Sequence, residues 1–198
     1  MKNIEAFFKN HQGYARMKDL KDQSFHTRDI AKAVENGIIE KIKPGLYKLI
    51  DFTWDEHSGF VDIAKAKGSA IICLTSALSY HNLSTINPGT ITVAVPMNTD
   101  KFSLDYPPIK VYYFPESLYS FGIEEKKTMS GNFKIYNAEK TICDMFRYRN
   151  KLGEDLPLEG LKNYLKRKDA DIPKLHEYAI KCKVKTVMLP YIKAMVIV

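Results

Sequence analysis

The spacing of apolar and polar positions divides the chain into a helical opening, a short ribbon, and a longer stretch where strands give way to helices. Ile4, Phe7 and Phe8 recur at helical spacing, Met17 and Leu20 mark a second short helix, and Ile30, Ala33 and Val34 form an apolar stripe on a third. The third helix starts after His26-Thr27 and ends at Gly37, which suits the left-handed position past a helix end because it carries no Cβ. The runs "IIEKIK" and "LYKLI" then read as two strands. Between them Pro44 presets φ for the first turn position and Gly45 supplies a positive φ at the second. Three helices followed by a two-stranded ribbon is the element order of a winged helix-turn-helix.

Beyond it, "DFTWDEHSG" reads as a linker, which predicts a domain over 1–52 and a second over 53–198. The second opens with a helix near 56–67 and a short one around "CLTSALSYH". Strands are predicted at 90–95, 109–114 and 132–137, where β-branched and aromatic residues are bounded by Pro, Gly or Asn. Helices follow at 138–150, 158–168, 172–183 and 186–197. Pro157 and Pro173 fit helix first turns, whereas Pro190 is expected to kink or shorten the last helix. The expected fold class is α+β: an N-terminal winged helix-turn-helix, then a mixed α/β domain with a small sheet and a helical C-terminal tail.

A hydrophobic content of 45%, with 12 Tyr and 10 Phe, supplies a real core and argues against disorder. The net charge of +7 is unevenly placed. Residues 1–52 carry 10 basic and 7 acidic groups, 53–139 carry 7 and 9, and 140–198 carry 13 and 7. Basic ends favour a polyanionic partner, although solvated lysines on helix faces account for a charge of this size equally well. Cys73, Cys143 and Cys182 are odd in number, far apart and in apolar surroundings, as reduced core thiols of a cytoplasmic protein are. "MKNIEAFFKN" lacks a signal-peptide pattern, and "VMLPYIKAMVIV" is too short and too interrupted to span a bilayer.

In a helix-turn-helix the second helix shows an apolar stripe to its own domain and a polar stripe to the major groove. Arg28, Lys32 and Glu35 fall on the side of the third helix away from Ile30, Ala33 and Val34, with Thr27 at the N-terminal end where base edges are reached. In the ribbon, Ile42, Tyr47 and Leu49 are expected inward, and Lys41, Lys43 and Lys48 toward phosphates. The competing reading is a protein-binding module with solvated lysines. Glu35 tempers the DNA reading, since an acidic group is repelled by the backbone unless it meets cytosine N4.

The chain resembles the AbiEi-like antitoxins of type IV toxin-antitoxin systems, met in abortive phage infection. The resemblance rests on "DIAKAVENGIIEKIKPGLYKL", on "TSALSYHNLSTINPGTITVAVP" (75–96) and on "IYNAEKTICDMFRYRNKLGED" (135–155) followed by "LKNYLKRKDADIPKLHEYA" (161–179), so it extends over almost all of the chain. No segment is diagnostic alone; their order is. The resemblance implies a cytoplasmic antitoxin whose winged helix represses its own operon and whose C-terminal domain neutralises a nucleotidyltransferase-like toxin, with no direct contact between the two proteins required. Stand-alone regulators also occur. The DNA-contacting residues so implied are Thr27, Arg28 and Lys32 on the helix and Lys41 and Lys43 on the wing, with Arg16 a lesser candidate before the second helix.

Catalytic patterns are sparse: no phosphate-binding glycine loop, His-x-x-x-His, Cys-x-x-Cys or Gly-x-Ser-x-Gly occurs. No catalytic residue, metal ligand or cofactor is therefore assigned, and the protein is expected not to be an enzyme. The best enzymatic alternative is a metal-dependent nuclease using Asp105 with Glu124, Glu125 and Lys126. His81 reads as a capping or satisfied core residue. Glu139, Asp144, Arg147 and Arg149 read as structural ion pairs or as a partner-binding face, and Lys162, Lys166 and Arg167 beside Tyr164 as a solvated face or a second polyanion contact.

Overall fold

The structure is a computed structural model that describes residues 3–196. Its contacts divide it into two compact units, one of 1–68 with 103–107 and 127–133, the other of 69–102, 108–126 and 134–198.

The first unit runs α1 (Ile4–Asn10), β1 (Tyr14–Arg16), α2 (Met17–Asp22), α3 (Thr27–Glu35), β2 (Ile39–Lys43), β3 (Leu46–Leu49) and α4 (Ser58–Ala66). Asn3 caps α1 by accepting from the Ala6 amide at 3.2 Å, and Asp19 accepts from the Arg16 amide at 3.1 Å at the start of α2. Helix α3 ends as expected. Gly37 has φ +66° and donates to Val34 O, while the Ile38 amide reaches Ala33 O, which satisfies two terminal carbonyls. Gly45, with φ +79°, closes the two-residue turn of the hairpin.

Strand β1, which the apolar pattern does not reveal, pairs antiparallel with β3, so the sheet order is β1-β3-β2 and β3 is central. A bulge between Lys41 and Lys43 shifts the register, so that Ile39 and Ile42 are both buried although strict alternation would separate them. The helices close over one core of Phe8, Leu20, Phe25, Ile30, Ala33, Ile39 and Leu49. Each large apolar side chain of that kind stabilises the fold by roughly 1.5–3 kcal/mol.

The second unit contains β4 (Ile71–Ile72), α5 (Leu74–Tyr80), β5 (Ile91–Pro96), β6 (Ile109–Phe114) and α6 (Glu116–Tyr119). Then come β7 (Ile123–Thr128) and β8 (Gly131–Tyr136), whose residues 127–133 are counted with the first unit, and α7 (Ala138–Arg147), α8 (Arg149–Leu152), α9 (Asp155–Leu165), α10 (Ile172–Lys181) and α11 (Lys185–Val196). The five-stranded sheet is mixed, in the order β6-β5-β4-β8-β7, with β5 parallel to β6 and antiparallel to β4. The architecture is thus mixed α and β with small sheets and a helical C-terminal part.

Pro157 and Pro173 lie in helix first turns, but α11 runs through Pro190 without shortening. Ile197, the last residue of that expected helix, lies outside the described residues, as do Met1, Lys2 and Val198. Helix α7 is the centre of the unit: every residue from Ala138 to Phe146 is buried, including Glu139, Lys140 and Asp144. Such burial obliges each polar group to find a partner. The three cysteines are buried and unbridged.

Candidate nucleic-acid interface

Helix α3 turns Ile30 and Ala33 into the core, at 1% and 4% exposure, so Thr27, Arg28 and Lys32 stand on the solvent side. Neither Arg28 nor Lys32 forms an ion pair with Asp29 or Glu35 among the described residues. Both also line a groove of about 600 Å³ with Ile4, Asp29 and Ile38. Val34, expected in the apolar stripe, is instead 37% exposed. The core direction falls between Ile30 and Ala33, and the next position, about 100° further round, swings to the flank.

The hairpin departs more sharply from expectation. Lys41 is exposed, but Lys48 is buried and its ammonium lies 2.9 Å from Asp62 Oδ2, with the indole of Trp54 beneath it at 4.3 Å. The Tyr14 hydroxyl donates to the other oxygen of Asp62 at 2.7 Å, and burial with this carboxylate holds the Tyr14 hydroxyl well above the usual phenol range. Lys48 is therefore no phosphate contact. Its strand is the middle one of three, covered on both faces, so inward-outward alternation does not apply to it.

Lys43 is half-buried and donates to the carbonyl of Ala66 at the end of α4. Arg16 is exposed and immediately precedes α2. Sequence reasoning missed Lys65 of α4, which joins Arg16 and Lys43 around a cleft of about 300 Å³ at the Pro44-Gly45 turn, with no carboxylate in its lining. Only the pairing of α4 with the hairpin brings it there, and no local signal announces that.

The other expected clusters resolve as structural contacts. Asp144 pairs with Lys140, not Arg147, at 2.5 Å, with both side chains fully buried. Glu139 accepts from the Tyr164 hydroxyl at 2.8 Å and lies 3.3 Å from Lys174. Arg167 pairs with Asp169 at 2.7 Å. The His81 ring donates from Nε2 to Tyr136 O at 2.7 Å, and burial lowers its pKa, as a satisfied core histidine requires. Glu124 pairs with Lys126 at 2.7 Å on β7, and no group of metal-ligating side chains is found among the described residues.

These elements define an α/β protein of two units, the first of which presents an exposed helix face carrying Arg28, Lys32 and Glu35. Residues 3–50 match the sequence model of the family described as "Transcriptional regulator, AbiEi antitoxin", a family of regulators rather than enzymes. The resemblance read from the sequence is thereby shown for the N-terminal segment; the match does not extend over 75–96 or 135–179. No curated protein matches the chain. The fold is similar to the crystal structure of the RV2827C protein from Mycobacterium tuberculosis, with a TM-score of 0.60 and 9% identity, over 92% of this chain and 77% of that one. At that identity the likeness concerns the fold alone. No helix among the described residues is long and apolar enough to cross a membrane.

Proposed function

We propose that residues 1–52 form a winged helix-turn-helix that represses transcription of the protein's own operon, and that residues 53–198 counteract a nucleotidyltransferase-like toxin in the cytoplasm. In this reading α3 enters the major groove, with Thr27 and Arg28 at base edges and Lys32 at a phosphate. Lys41 and Lys43 on the wing and Arg16 before α2 meet the backbone on either side. The base-reading elements of this proposal end at Leu49, and α4, bonded to the hairpin through Lys43 and Lys48, adds Lys65 as a further phosphate contact.

The observation that carries the DNA half is the outer face of α3, where Arg28 and Lys32 are exposed and unpaired on a segment matching antitoxin regulators. The toxin half is supported by that match alone, and it requires no direct contact between antitoxin and toxin.

A salt titration on duplexes carrying the protein's own upstream region and a scrambled sequence tests the first half. Tighter binding to the upstream region, with log affinity falling linearly in log salt, is expected. Equal affinity for both would remove the repressor reading. Co-expression with an adjacent nucleotidyltransferase-like reading frame tests the second: growth arrest that this chain does not relieve would leave a stand-alone regulator.

A further inference from the structure

In the second unit, a cleft of about 400 Å³ forms where α7 and α10 end. Arg147, Arg149, Lys151 and Lys183 line it, together with Tyr148 and Asn150, and no carboxylate is in the lining. Part of this charge has a structural use. Cations at helix C-termini complement the helix dipole and bond the last carbonyls. The Arg149 guanidinium donates to Phe146 O at 2.9 Å, and Arg147 reaches Cys182 O at 3.4 Å. Arg149 also lies 3.7 Å from Glu154, outside the lining.

Lys151, in the last turn of α8, and Lys183, just past the end of α10, also stand at helix C-termini, but neither ammonium bonds a terminal carbonyl among the described residues. Both are exposed and neither forms an ion pair among the described residues. Lys183 has a backbone φ of +58°, and it occupies the position past the end of α10 where its own amide bonds Ile180 O and the Val184 amide bonds Ala179 O. Glycine fills such a position without a Cβ penalty, so a lysine there is a strained choice. The strain places a fourth positive charge in a cleft that already holds three, where mutual repulsion opposes folding.

We propose that this cleft binds the phosphate group of a small phosphorylated ligand. A phosphate offers acceptors to two guanidiniums, two ammoniums and the Asn150 amide at once, and it neutralises the repulsion among them. A small ligand is favoured over a nucleic acid because the cations converge on one cleft of ligand size and do not form a stripe tracking successive phosphates. The inference is independent of the DNA reading, since no residue of the first unit takes part.

The test is the melting temperature of the full chain in inorganic phosphate, in adenosine triphosphate without metal, and in sodium chloride at matched ionic strength, with calorimetry for affinity. Phosphate or the nucleotide should raise the melting temperature above chloride, because a ligand that binds only the folded state stabilises it. The variant Lys151→Gln/Lys183→Gly should lose the rise and bind at least tenfold more weakly. Glycine keeps the left-handed backbone, so this variant stays folded in chloride. An equal rise in phosphate and chloride, or a rise that the variant retains, would overturn the proposal. So would a variant that loses affinity for a duplex while free phosphate never binds, since that result assigns the cleft to nucleic acid.

Discussion

Lys48 and Asp62 meet at 2.9 Å with side-chain exposures of 8% and 3%, which ties the central strand β3 to α4 through a buried ion pair. Removing one partner leaves the other charge buried and uncompensated, at a cost of about 3–5 kcal/mol. Lys48→Ala and Asp62→Ala should each lower stability in urea by that order. Asp62→Ala should be the worse, because it also strands the Tyr14 hydroxyl. The combination Lys48→Met/Asp62→Leu/Tyr14→Phe should recover most of the loss. If either single variant melts like the wild type, the pair contributes nothing and the link is incidental.

The same pair bears on the domain boundary. A fragment of 1–52 lacks Asp62 and leaves Lys48 and Tyr14 without their partner, whereas 1–68 retains all three. The longer fragment should therefore unfold at higher urea with a sharper transition. Equal midpoints would place the boundary at 52 structurally as well as functionally.

How far the sequence exposes the site depends on whether neighbours in space are neighbours in the chain. Arg28 and Lys32 were legible because a helix sorts its faces by local spacing, and Gly37 and Pro44-Gly45 because turn chemistry is local. Lys48 was misread because its environment comes from α4, fourteen residues later, and Lys65 was missed for the same reason. Strand β7, "IEEKKT", has no apolar alternation because it is a sheet edge whose charges discourage further pairing. Strand β1 has only three residues, too few for a period to register. The Lys140–Asp144 pair was half visible: Asp144 stood in the expected charged cluster, but its lysine was not singled out, since i, i+4 pairs on helices are usually exposed.

That buried pair sets a pH dependence. Burial pushes the Asp144 carboxyl up, and Lys140 beside it pulls down, with a balance at about 6. An unfolded Asp titrates near about 4, so between these values the folded chain holds the extra proton, and this group's contribution to stability falls as pH rises through the window. Asp144→Asn has no such titration. Urea melts from about pH 4 to about pH 7 should show the wild type's margin over Asp144→Asn narrowing as pH rises. A margin that widens would mean that attraction to Lys140 outweighs desolvation.

The cleft of Arg16, Lys43 and Lys65 makes a prediction about salt. Phosphate contacts position a protein without reading sequence, and each one contributes about one unit to the slope of log affinity against log salt. Lys41→Ala and Lys65→Ala should each weaken upstream and scrambled duplexes alike and make the slope shallower by about one unit. Lys43 is already bonded to Ala66 O, so Lys43→Ala should change the slope less. An unchanged slope for Lys65→Ala, with Lys41→Ala behaving as expected, would confine the interface to the helix and the ribbon.

Arg28 and Lys32 share the outer face of α3 one turn apart and have different chemistry to offer. The Arg28 guanidinium, in the first turn, has a planar fork that matches guanine O6 and N7, whereas the Lys32 ammonium is a point charge suited to a phosphate. Arg28→Ala should therefore cost about 1–3 kcal/mol on the upstream duplex and much less on the scrambled one, while Lys32→Ala should weaken both similarly. Neither side chain pairs with Asp29 or Glu35, so both variants should melt within about 0.5 kcal/mol of the wild type. Binding at one fixed salt concentration, with a melt for each variant, separates the possibilities. Equal losses on the two duplexes for Arg28→Ala would reduce it to a phosphate contact, and a lowered melt with an intact specificity ratio would make it a structural residue.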